Sequence, residues 1–410
     1  MKLVIFAHTP PPHHGQSYMV QLMLEGFGGD HRKNTPAKND GSKYGITCYH
    51  VNARVSRDLE NIGELHFKKI ILLLMYCLSA IWCRFRYGAK ILYYIPAPGK
   101  RSALLRDWMV MFLCRPFFRK TIFQWQAAGL AKWLETAAQI RTRSITYQLM
   151  KQPDLCVVLA DYNRRDAEKL FTKKIVVVPN AIADPCPDFA QTVLPRRTAR
   201  NAARKKLLSG APLLLEGKEK SGGDPEVFHV LFVAHCTREK GVFDTMDGVA
   251  LANQQLAQSK SPIRIHLHIA GVFINADEQV EFEKRTSQPD LLSSITFHGF
   301  VAGAEKYRLF EESDCMCFPT YYFAESFGIV LIEAMAFGAQ VITSRWRAIP
   351  EVMPKNHPGL VDPKKPDQVS AALLLAIQQD FDPGLRQHFL QNFTIENHLA
   401  ELAKAFQSIE

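Results

Sequence analysis

The 410-residue sequence lacks the cysteine pattern of a disulfide-stapled or zinc-binding protein. Its nine cysteines are odd in number and scattered, and none forms a CxxC pair with a second pair at zinc-site spacing. The sequence also lacks the bias of a disordered or collagenous chain, since 47% of its residues are hydrophobic and 22% are charged. We therefore expect about two or three globular domains in a reducing, cytosolic compartment.

Long apolar runs are absent as well. The longest run, 70–83, has 14 residues between basic side chains, whereas a helix that crosses a bilayer needs about 20. At the N-terminus, Lys2 leads directly into a short apolar strand and a proline-rich loop, without the small-residue cleavage site of a signal peptide. We expect a structural start of the chain and a buried or interfacial helix at 70–83.

Acidic residues are scarce in the first half of the chain. Residues 1–200 carry 30 Lys and Arg against 14 Asp and Glu, while 201–410 carry 20 against 26. This asymmetry favours an anionic partner for the first half: a nucleic acid, a membrane surface or a phosphorylated substrate. No zinc-finger, RNP or helix-turn-helix pattern supports nucleic acid, so we expect none as a partner.

Basic and apolar residues interleave in 68–86, in RFRYGAK and in GKRSALLRDWMVMFLCRPFFRK. Such interleaving is typical of peripheral attachment to anionic lipid, and it predicts a cytoplasmic protein that sits peripherally on the inner face of the membrane. The alternative is that the apolar residues are core and the basic residues form a solvated face. The sequence leaves both open.

Short β-rich runs alternate with longer helical patterns, which predicts an α/β fold with parallel sheets. The predicted strands are 2–7, 90–95, 121–126, 155–160, 174–179, 226–234, 263–270, 294–301, 315–320 and 339–344. The pattern pauses in 184–225, which is rich in Pro, Arg, Lys, Gly and Ser. We therefore predict an N-terminal Rossmann-like domain at 1–183, a partly disordered linker or insert at 184–225, a C-terminal domain at 226–393 and a final helix at 394–410 that packs back on the first domain.

The most informative segment is FPTYYFAESFGIVLIEAMAFGAQVIT, which begins at residue 318. A strand ends near Pro319, and a helix should begin around 326–328. The free amides of Phe327, Gly328 and Ile329 at such a helix start form a ready anion site, and the glycine lets a phosphate approach the backbone.

Two carboxylates flank this helix start. Glu325 lies before the helix and Glu333 about two turns inside it, up to roughly 12 Å apart at about 1.5 Å per residue. That separation is too large for an acid/base dyad but suits two groups that bind hydroxyls on either side of a diphosphate, as in a sugar nucleotide. The alternative is a buried salt bridge for Glu333 and a helix-start charge for Glu325.

These residues resemble the donor-binding motif of glycosyltransferase family 4, retaining enzymes of the GT-B fold. The likeness rests on E-x7-E with SFG between, and on segments in the family's order: TPPPHHGQS, VVVPNAI, FVAHCTREKGV, HIAG and HGFV. It covers most of the chain and is strongest over 174–355. The resemblance implies two Rossmann-like domains facing each other across a cleft, and a sugar transferred from a nucleoside diphosphate sugar to a carbohydrate or lipid-linked acceptor, in cell-envelope polysaccharide or glycolipid synthesis.

The same resemblance implies roles for individual residues. Glu325 would contact the transferred sugar, Glu333 the ribose, and Lys240 the diphosphate leaving group, where negative charge develops. Further donor contacts are implied for the helix-start residues Ser326, Phe327, Gly328 and Ile329 and for Phe300 and Val301 of the HGFV turn. Gly15, after the first strand, would let the backbone approach the diphosphate or the acceptor from the other side of the cleft. Lys240 as a solvated loop charge and Gly15 as an ordinary loop glycine remain alternatives.

Two positions depart from the family pattern. His235 stands where the family carries an Arg, so Arg238 is a candidate to supply the guanidinium, although it can equally be a solvated loop charge. Gln126 stands where the family often has a His facing the reacting sugar, at the end of the third predicted strand, and Gln cannot titrate. The leaving diphosphate can take the acceptor's proton in a retaining mechanism. The second hypothesis is therefore a catalytically impaired GT-B subunit that binds a nucleotide sugar or partner.

A metal is not required by this interpretation. His8, His13 and His14 lie close together in sequence but have no neighbouring carboxylate. We therefore expect no metal and no resident cofactor, with the nucleoside diphosphate sugar as substrate.

Overall fold

Two parallel six-stranded sheets organise the chain. The computed structural model describes residues 1–11, 15–33, 41–54, 67–211 and 223–410. Contacts divide these residues into a first unit, Met1–Ala181 with Ile395–Glu410, and a second unit, Ile182–Thr394. The α/β class and the parallel sheets predicted from the sequence are confirmed.

The first unit is built on a sheet of order β2-β1-β3-β4-β5-β6. Its strands are β1 Lys2–Ala7, β2 Thr47–Asn52, β3 Ile91–Tyr94, β4 Lys120–Gln124, β5 Leu155–Val158 and β6 Ile175–Val177. Its helices before the chain leaves the unit are α1 Gly15–Gly26, α2 Phe67–Arg86, α3 Arg101–Cys114, α4 Leu130–Thr136, α5 Ile140–Met150 and α6 Arg164–Glu168. Strands β3 and β5 are buried throughout, as expected for strands covered on both faces.

The second unit repeats this plan with the sheet order β12-β11-β10-β7-β8-β9. Its strands are β7 Val227–Val233, β8 Arg264–Ala270, β9 Ile295–Gly299, β10 Cys315–Phe318, β11 Gln340–Ser344 and β12 Leu360–Val361. Its helices are α7 Phe189–Leu208, α8 Val242–Gln258, α9 Ala276–Thr286, α10 Pro289–Leu292, α11 Gly303–Glu312, α12 Ile329–Ala336, α13 Ile349–Val352, α14 Pro366–Gln378 and α15 Gly384–Asn392.

The last helix, α16 (Ile395–Gln407), returns to the first unit. Its apolar side packs with Leu3 and Ile5 of β1 and with Phe27 in one core cluster of that unit. The Phe406 ring is tilted against Phe27 and lies edge-on to Tyr93, with ring centroids 6.1 and 6.0 Å apart. The first unit is therefore built from both ends of the chain.

The predicted linker at 184–225 needs correction, because α7 occupies twenty of its residues. The arginines that made this segment look like a linker, Arg197, Arg200 and Arg204, are buried. Arg197 donates to the carbonyl of Phe310 at 2.8 Å, and Arg204 pairs with the carboxylate of Asp314 at 2.9 Å. Burial would raise the pKa of Asp314, but Arg204 and Arg200 outweigh it and lower that pKa. The three arginines of this basic segment are therefore part of the interior of the second unit. Residues 212–222 lie outside the described ranges.

The sequence analysis did not predict two of the strands, β2 and the two-residue β12. The sequence of β2, TCYHVN, contains no continuous apolar run, yet β2 pairs in parallel along the whole of β1, from Lys2 opposite Thr47 to Ala7 opposite Asn52. None of the helices in the described ranges is long and apolar enough to span a bilayer.

A row of histidines crosses three strands of the second sheet. His229 of β7 contacts His268 of β8 at 3.0 Å, and His268 contacts His298 of β9 at 3.1 Å, in each case between ring nitrogens. His266 stacks edge-on against His268, with ring centroids 4.9 Å apart. Desolvation by burial, together with the other three rings, lowers the pKa of His268 to about 3.

From the low pKa of His268 we expect the second unit to lose stability at acidic pH. An unfolded His has a pKa near 6.5, so between that value and about 3 the unfolded chain binds more protons and stability falls as the pH falls. We expect the free energy of unfolding to drop by about 1 to 2 kcal/mol between pH 7.5 and pH 5 through His268. Thermal melts of the wild type and of His268→Gln at both pH values test this. Equal pH dependence of the two proteins would contradict it.

Candidate functional site

The strand order of the second sheet reverses between β7 and β10. From β7 the chain moves outward to β8 and β9, then returns to the other side of β7 and moves outward through β10, β11 and β12. In open α/β sheets, ligands bind in the crevice outside the carboxyl ends of the strands at such a reversal. The sequence-predicted donor-site residues of this unit lie on the loops after β7, β9 and β10 and on α12.

Lys240 and Glu325 meet at this reversal point. The Nζ of Lys240, on the loop after β7, lies 2.6 Å from Oε2 of Glu325, on the loop after β10. The ammonium also lies 4.6 Å from the ring centroid of Tyr322, which makes a cation–π contact. The two predicted residues, 85 positions apart in sequence, thus form one charged pair at the end of the sheet.

The backbone of the two loops holds this pair in place. Gly241 has a φ of 88°, and a Cβ at that position would lie 2.7 Å from the carbonyl oxygen of Pro319. The amide of Tyr321 donates to the carbonyl of Glu239 at 2.7 Å. Glycine at 241 therefore allows a close approach that a larger residue would prevent, and Lys240 is positioned by a neighbour that lacks a side chain.

Helix α12 begins just beyond this pair. Gly328 precedes it with a φ of 76°, and no side chain caps its first turn. Ser326 and Phe327 are buried, and the Phe327 ring lies edge-on to Phe393 with centroids 5.7 Å apart. Because Ile329 is the first helical residue, the amides of the first turn point toward the crevice end of the helix, as an anion site requires.

Glu333 is buried on α12 and has its own lysine. Lys306 of α11 forms an ion pair with Oε1 of Glu333. The sequence analysis did not identify Lys306, because it lies 27 positions away on a different helix and no local pattern marks it. Glu325 and Glu333 thus each form an ion pair with a different lysine.

Arg238 and His235 lie on the same loop as Lys240. The Arg238 guanidinium pairs with Glu281 of α9 and lies 4.7 Å from the ring centroid of Phe243. Partial burial, with the charge of Lys240 as a smaller cause, lowers the pKa of His235, so its imidazole is neutral at pH 7. The structure therefore places Lys240, and not Arg238, on the predicted carboxylate.

Phe300 and Val301 follow β9 on the same edge of the sheet. Phe300 is 72% exposed, whereas Val301 is buried. The loop after β8 is hydrogen-bonded to the loops on both sides of it. The amide of Gly271 donates to the carbonyl of Gly299 at 2.7 Å, and the amide of Cys236, on the loop after β7, donates to the carbonyl of Val272 at 2.8 Å. An exposed aromatic ring on this edge of the sheet can stack on a planar ring.

The first unit holds two of the predicted residues. Gly15 is the first residue of α1, after β1. Gln126 follows β4 and is half-buried, and the amide nitrogen of Asn180 donates to its Oε1 at 3.1 Å. The sequence analysis placed Gln126 after a third strand, and it follows the fourth because β2 was missed.

In the described ranges, no group of three His, Cys, Asp or Glu side chains is arranged to hold a metal ion. His13 and His14 lie outside those ranges. The chain has one Asp-x-Asp spacing, at 380–382, where Asp380 pairs with Lys205 and Asp382 accepts from the amide of Gly384.

The second unit is similar to known glycosyltransferases. Residues 216–394 match the family model of glycosyl transferases group 1. The chain is 27% identical over 207 residues to the amylovoran biosynthesis glycosyltransferase AmsK of Erwinia amylovora, covering 47% of this chain and 49% of that protein. It is 36% identical over 100 residues to the phosphatidyl-myo-inositol mannosyltransferase of Mycolicibacterium smegmatis, covering 24% and 26%. The chain thus spans half or less of these curated relatives.

Solved structures match along the whole chain. HepE of Anabaena in complex with UDP superposes with a TM-score of 0.63 at 13% identity, covering 100% of both chains. Sucrose-phosphate synthase of Thermosynechococcus elongatus superposes with a TM-score of 0.65 at 15% identity, covering 100% of this chain and 99% of that one. At such identities the likeness establishes the fold, which is GT-B, and the match to the glycosyl transferases group 1 model is confined to residues 216–394.

Proposed function

We propose that this protein is a retaining glycosyltransferase that moves a sugar from a nucleoside diphosphate sugar to a carbohydrate or lipid-linked acceptor. The observation that carries the proposal is the Lys240–Glu325 pair at the strand-order reversal, 2.6 Å between Nζ and Oε2, beside the uncapped start of α12. A cation, free helix amides and a carboxylate at one crevice suit a diphosphate joined to a polyhydroxyl group. HepE, which shares the fold, is described as a complex with UDP.

Each part of the site has a role in the proposed reaction. Lys240 and the first-turn amides of α12 stabilise the diphosphate as its bond to the sugar breaks and negative charge develops on it. Glu325 accepts hydrogen bonds from sugar hydroxyls, and Glu333, oriented by Lys306, accepts them from the ribose. These groups provide positive charge without a metal, so the proposed reaction needs no resident cofactor.

In the proposed reaction, retention of the sugar's configuration depends on which group takes the acceptor's proton. An inverting transfer needs a general base on the face of the sugar opposite the leaving group. Gln126, which stands where the family resemblance places a His facing the reacting sugar, cannot titrate and so cannot serve as such a base. In the proposed mechanism the departing diphosphate takes the acceptor's proton on its own face of the sugar, which retains the configuration.

The acceptor is proposed to belong to cell-envelope polysaccharide or glycolipid synthesis. The relatives named above are an amylovoran biosynthesis enzyme and a phosphatidyl-myo-inositol mannosyltransferase, which act on these two classes. A second candidate function is a GT-B subunit that binds a nucleotide sugar without efficient transfer. Gln126 and His235 favour it, because both replace residues that the family resemblance associates with transfer.

A panel of nucleotides tests the donor site. At about 100 times its dissociation constant, a ligand adds about 2.7 kcal/mol of stability, which raises Tm by about 5 °C or more in a unit of this size. We expect one of UDP, GDP and ADP to produce this shift, and CMP and inorganic phosphate to produce none. The absence of any selective shift would contradict the donor site.

The same measurement tests the ribose role of Glu333. With Glu333→Gln we expect about tenfold weaker nucleotide binding, which cuts the stabilisation at that ligand concentration to about half. The matched control is Glu305→Gln, on the exposed side of α11. An unchanged shift in Glu333→Gln would assign the Glu333–Lys306 pair to packing alone. A selective shift without turnover on any acceptor would favour the second candidate function.

A further inference from the structure

Helix α2 is apolar on two opposite sides. Its inward side, with Leu73, Cys77, Ala80 and Cys83, is buried in the core of the first unit. Six further large apolar residues of the helix are exposed by 38–66%, namely Ile71, Leu74, Met75, Leu78, Trp82 and Phe85. At about 100° per residue these six fall within an arc of about 100° on the outward side, and they form what we name the α2 stripe.

Aromatic contacts extend the α2 stripe to the segment after α3. The rings of Phe85 and Phe117 lie edge-on, with centroids 6.1 Å apart, and Phe117 is itself exposed. Nε of Arg84 donates to the carbonyl of Phe117 at 2.9 Å. A continuous exposed apolar surface of this kind on a folded unit marks an interaction site rather than scattered surface residues.

Basic residues lie at both ends of the α2 stripe. Helix α2 has no acidic residue, and it carries Lys68 and Lys69 in its first turn and Arg84 and Arg86 in its last turn. Residues 67–120 contain eleven Lys and Arg but one acidic residue, Asp107. That carboxylate is buried and accepts from the hydroxyl of Tyr94 at 2.6 Å and the amide of Ala97 at 2.8 Å, so it offers no negative charge to the surface.

We propose that the α2 stripe is a docking surface for an anionic lipid bilayer. The helix lies in the plane of the interface, with the stripe among the acyl chains and the basic residues at its two ends on lipid phosphates. From Ile71 to Phe85 the stripe is about 21 Å long, at about 1.5 Å per residue. A second copy of the chain fits less well, because it would bring the same basic residues face to face.

The proposed lipid binding is separate from the transfer reaction and is tested without a transfer assay. The full chain is mixed with vesicles of phosphatidylcholine alone, or of phosphatidylcholine with 30% phosphatidylglycerol, and floated at 50 and 500 mM NaCl. We expect the protein to float with the anionic vesicles at low salt, and at least a tenfold weaker partition at high salt or without the anionic lipid. Failure to float with anionic vesicles at low salt would overturn the proposal.

Two sets of variants locate the surface. Leu78→Ser with Trp82→Ser should weaken partition to anionic vesicles about tenfold or more, because both side chains are exposed and lost from the acyl region. Ile140→Ser, at an apolar residue of α5 that is 82% exposed, is the matched control and should partition as the wild type does. Lys68→Gln with Arg86→Gln should weaken partition and reduce its salt dependence.

Two results would refute the assignment. Equal partition of the wild type and the Leu78→Ser/Trp82→Ser protein would show that the α2 stripe does not bind lipid. A wild type that elutes as a dimer and becomes a monomer through the same substitutions, with flotation unchanged, would assign the stripe to a second copy of the chain. Circular dichroism of each variant confirms that α2 is intact before either result is interpreted.

Discussion

Replacing Lys240 with Gln is expected to lower kcat by about 100- to 1,000-fold. Loss of one preorganised group that stabilises developing charge typically has an effect of this size. Lys240 provides the cation on the Glu325 carboxylate, at the crevice where the diphosphate is proposed to leave. Gln is chosen because its amide can still donate a hydrogen bond to Glu325, so the charge is removed while the pairing is kept. The measurement is steady-state transfer with the nucleotide sugar identified by the thermal panel.

Two further variants serve as controls for the Lys240→Gln result. Lys284→Gln removes a charge from the exposed side of α9 in the same unit and should retain wild-type kcat. Lys240→Arg keeps the charge in a different shape and should recover part of the activity. If Lys240→Gln keeps kcat within about threefold of the wild type, Lys240 has no role in stabilising the leaving group.

Replacing Glu325 with Ala is expected to reduce turnover at least tenfold while the protein stays folded. Glu325 is proposed to bind the sugar and not the nucleotide, so its loss should affect transfer and leave the affinity for the plain nucleoside diphosphate unchanged or higher. A higher affinity is reasonable because the substitution releases the Lys240 ammonium from its pair, 2.6 Å away. Turnover and the dissociation constant of the diphosphate are the two measurements.

The double variant Lys240→Gln/Glu325→Ala separates a shared role from two independent ones. Because the two side chains are in contact, we expect the double variant to lose less activity than the product of the two single losses. Unchanged turnover in Glu325→Ala, or an equal loss of affinity for the diphosphate that carries no sugar, would contradict the sugar-binding role.

The position of Glu325 could be predicted from the sequence because it follows a buried strand, whereas Lys240 was assigned only by the family resemblance. Apolar runs locate the strands of a parallel sheet, and the loops after adjacent strands gather at one edge. The start of α12 was likewise marked by Gly328, whose positive φ is costly for other residues. Local patterns were therefore sufficient for Glu325 and for the start of α12.

Other features depend on contacts that no local pattern encodes. Lys306 reaches Glu333 from a separate helix, so only the packing of α11 against the unit reveals it. Helix α7 was interpreted as a linker because arginine is usually exposed, and its arginines are buried only because Asp314 and main-chain carbonyls accept from them. Strand β2 is recognised by pairing with β1 and not by its own composition.

The return of α16 to the first unit affects how the chain folds during synthesis. The ring of Phe406 fills the core between Phe27 and Tyr93, and the carbonyl of Glu410 accepts from Lys120 at 2.9 Å. Until α16 has left the ribosome, the apolar residues of the first unit that pack against it lack this cover, even though the sheet has been translated long before. The second unit, whose residues are contiguous, can finish first. The first unit, whose translation begins first, is therefore the last to complete its core.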